Sequence, residues 1–93
     1  MSTLEDWKVI DIAKNVATAN NVDVENVVLA PEIASTGGPA LMITLVLTPG
    51  SSRTIMTERS ALTISQLIRD LADAGEERSP IVRYEEQVAS PRS

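Results

Sequence analysis

The chain has 93 residues, 8 basic and 13 acidic side chains and a formal net charge of −5. It contains no Cys, no His and no Phe, and only one Trp and one Tyr. Without imidazole or thiolate, structural zinc, Cys–His nucleophiles and Ser-His-Asp triads are excluded. No disulfide can form. The acidic balance favours solubility and opposes non-specific binding to phosphates. Ile, Leu and Val account for 25 residues, enough for one aliphatic core in a single small domain. No apolar run reaches the roughly 18 residues of a membrane span. Glu5 and Asp6 stand where a signal peptide would be basic and apolar. The expectation is a cytoplasmic protein without membrane partner or cofactor.

The first segment predicts a helix from about Thr3 to Asn20. Ser2 with Glu5, or Thr3 with Asp6, gives a capping-box pattern. At 100° per residue, Val9, Ile10, Ile12, Ala13, Val16, Ala17 and Ala19 fill one broad face. Asn20-Asn21 supplies a stop, because Asn tolerates the left-handed conformation. Val24 to Ile33 is β-branched and predicts a strand, with Pro31 placing its later part at an edge or at the strand's end. The stretch Ala34 to Pro39 is a loop. Its Gly37-Gly38 pair joins two strands rather than a strand and a helix, so it reverses the chain instead of cradling an anion.

Ala40 to Thr48 is the clearest strand. Leu41, Ile43, Leu45 and Leu47 point one way; Met42, Thr44, Val46 and Thr48 point the other. Pro49-Gly50-Ser51-Ser52 predicts a turn, and Arg53 to Met56 a short returning strand. Thr57 or Ser60 caps a second helix that runs to about Ala74. Its stripe is Ala61, Ile64, Leu67, Ile68, Leu71 and Ala72, and Gly75 suits the C′ position. Ile81 to Gln87 predicts one more strand, and the tail from residue 89 is small and polar.

The expected fold is α+β: a two-layer sandwich of order α-β-β-β-α-β. An antiparallel sheet of three or four strands carries two helices on one face. Residues 1–88 form the domain and 89–93 a flexible tail.

The chemistry available is limited to carboxylates, hydroxyls, Lys and Arg. Asp70, Asp73, Glu76 and Glu77 cluster at the end of the second helix. Their spacing fits no calcium loop, and they read as a solvated helix end. Helix, three strands and helix, over about residues 3–74, resembles the outline of double-stranded-RNA-binding domains. The family clamps phosphate with a lysine-rich start to its second helix. The matching stretch here, Thr57-Glu58-Arg59-Ser60-Ala61, has no lysine pair, so the binding residues do not carry over. Trp7 and Tyr84, the only rings, do not make an RNA-stacking pair.

What remains is a small non-catalytic interaction module, a homodimer or the small subunit of a larger assembly, with a protein or itself as partner. Trp7 and Leu4 fall outside the apolar stripe of the first helix. Met42, Thr44 and Val46 face away from it on the central strand, with Val28 and Ala30 joining them from the first strand, a more apolar outer face than is usual. Tyr84 joins them as the candidate interface residue of the last strand. Glu32, Arg53 and Glu85 offer a charged rim. The competing class is an acidic decoy for a basic nucleic-acid-binding protein, since six of the 13 acids lie between Asp70 and Glu86.

Overall fold

The computed structural model describes residues 3–48 and 57–86. Five elements follow in chain order: α1 (Asp6–Ala19), β1 (Val24–Ile33), β2 (Pro39–Leu47), α2 (Thr57–Asp73) and β3 (Ser79–Glu86). The sheet is three-stranded, with β2 in the centre. The expected turn at 49–52, the short strand at 53–56 and the tail from 89 lie outside the described residues.

The fold is α+β, but two expectations about it are corrected. The order of described elements is α-β-β-α-β. The sheet is mixed rather than antiparallel: β1 pairs antiparallel to β2, and β3 pairs parallel to it. The reason is the connection. A hairpin returns a strand antiparallel, whereas a helix between two strands spans the sheet and brings the second strand back parallel. The last strand therefore belongs to a β2-α2-β3 crossover.

Helix α1 buries Val9, Ala13, Val16 and Ala17, at the i, i+4, i+7, i+8 spacing of a single helical face. Its N-cap is Glu5, which makes no side-chain capping bond. Its end is a Schellman turn. Val22 N–H donates to Ala17 O at 2.8 Å and Asn21 N–H to Thr18 O at 3.1 Å. Asn21 takes φ +60°. The turn folds Val22 onto Ala17 and Leu47 in a small buried cluster.

Helix α2 ends the same way. Glu76 N–H donates to Leu71 O at 2.9 Å and Gly75 N–H to Ala72 O at 3.1 Å, with Gly75 at φ +103°. The face it buries is Thr63, Leu67 and Leu71. Of the expected stripe, Ile64 is half-buried while Ala61, Ile68 and Ala72 are exposed. The Thr63 hydroxyl donates to Arg59 O at 2.8 Å, so a polar side chain enters the core satisfied.

The main core joins Val9, Ala13 and Val16 of α1 to Leu67 and Leu71 of α2. Val27 of β1 and Leu41, Ile43 and Leu45 of β2 complete it. Both helices thus lie on one side of the sheet. The β1–β2 hairpin closes through Ala34 N–H to Gly38 O and Gly37 N–H to Ala34 O, each at 2.8 Å. Gly37 is left-handed at φ +93°, as a three-residue hairpin loop requires.

A Cβ at Gly75 meets nothing within 4 Å, so any cost there is backbone strain alone. Gly75→Ala should therefore destabilise the protein by about 1–2 kcal/mol, whereas Gly38→Ala, without positive φ, should be nearly neutral. Urea unfolding of the two variants checks this; equal stabilities would contradict it.

Candidate functional site

The sheet has two unlike faces. On the helix side, β2 presents Leu41, Ile43, Leu45 and Leu47, all buried. The period of two puts Met42, Thr44 and Val46 on the other side. No described helix or strand lies over that side. Pairing across the sheet sets its rows. Ala30, Met42 and Ile81 form one row; Val28, Thr44 and Arg83 the next; Asn26, Val46 and Glu85 the third. Glu32 and Ser79 flank Ala40 at the hairpin end.

Exposure on this face is uneven. Thr44 and Val46 are each only 8% exposed, and Met42 is half-buried. Val28 and Ile81, on the outer strands, are 47% and 38% exposed. The open apolar surface therefore lies at β1 and β3, on residues that the central strand alone does not reveal. Period-two reading of β1 and β3 against β2 finds them once the pairing is known.

Leu4 and Trp7 part company. Trp7 is 63% exposed. Leu4 is half-buried and packs on the main core, in the N′ position of a hydrophobic staple whose N4 residue is Val9. Tyr84 lies on the helix side, opposite the open face. It packs on both core clusters, and its phenol donates to Ser60 O at 3.0 Å. Burial pushes the phenol above its ordinary pKa, and the adjacent Thr63 hydroxyl offsets this in part.

Within the acidic cluster, Glu76 is set apart. Its side chain is 1% exposed. Oε2 accepts from Arg78 Nε at 2.8 Å and from Arg78 N–H at 2.9 Å. Oε1 accepts from Arg78 Nη2 at 2.9 Å and from Leu4 N–H at 3.0 Å. Arg78 Nη2 also donates to Leu4 O at 3.4 Å. One carboxylate thereby ties the entry to α1, the exit from α2 and the start of β3. The guanidinium of Arg78 holds the Glu76 carboxyl at about 2, against an ordinary 4.5; burial opposes this, and the two backbone N–H groups add to it. Glu76 raises the Arg78 pKa in turn.

Two shallow depressions lie between the helices. One, about 230 Å³, is lined by Ile12, Asn15, Val16, Gln66 and Asp70. The other, about 320 Å³, is lined by Asn20, Leu62, Ser65, Gln66 and Arg69. Asn20 Nδ2 donates to Gln66 Oε1 at 3.2 Å between them. Asp70 is the one charged lining residue of the first and Arg69 of the second. Neither lining pairs a nucleophile with a base. Among the described residues no group of three or more carboxylates is placed to hold a metal ion, and no helix is long and apolar enough to cross a membrane.

Comparison with known proteins finds no match to a family model, to a curated protein or to a solved structure.

The Glu76 pKa lies below its unfolded value, so the stability it contributes is complete above about pH 4.5 and is lost as pH falls toward 2. A shift of that size corresponds to on the order of 3 kcal/mol. Glu76→Gln, which leaves Arg78 without its counter-charge, should cost about 3 kcal/mol at pH 7. It should also flatten the loss of stability between pH 4.5 and 2 that the wild type shows. Denaturant unfolding across that range measures both, and an acid limb unchanged in the variant would refute the assignment.

Proposed function

We propose that the protein is a non-catalytic interaction module whose binding surface is the sheet face opposite the helices. The observation that carries this is that both described helices pack on one side of a sheet whose β2–β3 pair is parallel. Parallel pairing goes with sheets covered on both faces, and antiparallel pairing with sheets that leave one face to water. Here the face over which no described element lies carries Val28, Ala30, Met42, Thr44, Val46 and Ile81 in contiguous rows. Apolar surface of this kind marks interaction sites.

The charge distribution supports the same reading. The chain carries a net charge of −5, yet the three rows hold only Arg83 and Glu85, with Glu32 at the hairpin end. The three rows thus hold one charge of each sign and no net charge, on a chain that is acidic as a whole. Further exposed apolar groups lie away from this face: Trp7 on α1, Leu62 and Ile68 on α2, and Ile33 at the end of β1. The decoy alternative is weakened by Glu76, whose carboxylate is consumed by Arg78 and Leu4 and is not offered to a basic partner.

Val28 and Ile81 are exposed enough to be replaced without cost to the core. Val28→Lys and Ile81→Lys should keep the unfolding midpoint within a few degrees and abolish association, with itself or with another protein. Trp7→Ala should leave it intact. Sedimentation and affinity capture on tagged wild type and variants provide the check. Association that survives both lysine variants and fails in Trp7→Ala would move the site to α1 and overturn the proposal.

A further inference from the structure

We infer that residues 3–8 are a latch: they lift from the core together with residues 76–78, as one unit, while the sheet and the body of both helices stay folded. Few ties hold the segment down. Thr3, Glu5, Asp6, Trp7 and Lys8 are all exposed, and Val9 is the first buried side chain of α1. The N-cap Glu5 makes no side-chain bond to the first turn, so the turn lacks the link that commonly secures a helix start. Lys8 and Val9 N–H donate to Glu5 O, which closes the turn on itself. Of residues 3–8, Leu4 is the one that packs on the core, and it is only half-buried.

The catch is at the far end of α2. Leu4 is gripped by both backbone groups: its N–H donates to Glu76 Oε1 at 3.0 Å, and its carbonyl accepts from Arg78 Nη2 at 3.4 Å. Asp6, in the first turn of α1, lies near enough to Arg78 to help keep it charged. The same carboxylate fixes residues 76–78, since Arg78 donates to it through its backbone N–H, Nε and Nη2. Two segments 72 residues apart thus share one acceptor group.

Sharing makes the two segments move together. When Leu4 leaves, Glu76 Oε1 loses a donor, and water reaches a side chain that is 1% exposed while the latch is closed. Hydration raises the local dielectric and weakens the attraction between Glu76 and Arg78. The turn between α2 and β3 then loosens in the same step. Ordinary fraying stops at the helix end, whereas this opening crosses to a distant part of the chain. It uncovers the part of the core beneath Leu4 and frees the start of β3, where Ser79 pairs with Ala40. The helices from Val9 onward and the three strands keep their own core contacts.

Amide hydrogen exchange of the whole chain at neutral pH, resolved by residue with NMR, tests the latch. In the wild type the Leu4 and Arg78 amides should share one opening constant, at least about tenfold larger than that of the Ile43 and Leu45 amides in β2. Leu4→Ala keeps the Glu76–Arg78 pair and should raise opening at positions 4 and 78 by the same factor, on the order of ten. Glu76→Gln should leave position 4 with almost no protection while β2 stays protected. A Leu4 amide that opens readily beside an Arg78 amide that opens only with β2 is plain fraying and overturns the coupling, as does an Arg78 amide indifferent to Leu4→Ala. Leu4 and Arg78 amides both as slow as those of β2 mean that the segment lifts only in global unfolding, and overturn the latch itself.

Discussion

The central strand is the constraint on which the rest of the structure depends. β2 has a neighbour on both sides, and its Leu41, Ile43, Leu45 and Leu47 are 2% exposed or less. Four large aliphatic side chains on one face must be covered, each worth roughly 1.5–3 kcal/mol when fully buried. The two described helices do it, and they pack on the same side, through Val9, Ala13 and Val16 and through Leu67 and Leu71. Their common side follows from where the aliphatic residues of β2 fall.

Glu76 and Arg78 hold this arrangement in one register. The two residues before β3 could leave α2 in several directions. The carboxylate removes that freedom by accepting from Arg78 and from the Leu4 backbone at once. Leu4 is thereby fixed as the lid of the core at the start of α1. Buried ion pairs are weak sources of net stability, because desolvation offsets attraction. What this one supplies is connectivity between chain segments 72 residues apart. Apolar replacements could fill the space but would leave the Leu4 N–H without its acceptor.

Sequence periodicity read the local structure well where a signal was local. The alternation in β2 and both helix stops at Asn21 and Gly75 appear in the structure as read, and of the expected α1 face Val9, Ala13, Val16 and Ala17 are buried, Ile10 and Ile12 half-buried and Ala19 exposed. Long-range features were not legible. The parallel placement of β3 is decided by the path of α2 across the sheet, which no residue within Ile81–Glu86 announces. On α2 the expected Leu67 and Leu71 are buried, but Thr63 joins them while Ala61, Ile68 and Ala72 stay exposed. Thr63 is tolerated inside because its hydroxyl donates to the Arg59 carbonyl. Glu76 looked like one of four solvated acids. Its distinction comes from Leu4, at the far end of the chain. Without a register Tyr84 reads as an interface residue; paired with Leu45, it turns inward.

The uneven exposure of the open face bears on where binding energy can come from. Thr44 and Val46 have little surface left to lose, whereas Val28 and Ile81 retain 47% and 38% of theirs. Free energy of association scales with area newly removed from water, and most of it comes from a few well-packed side chains. The energetic centre of a contact on this face therefore sits over β1 and β3, with β2 acting as a filled floor between them. A partner must reach both outer strands at once to recover that area. A narrow ligand such as a single extended strand can cover one column but not two. A second layer as broad as the sheet itself satisfies the requirement.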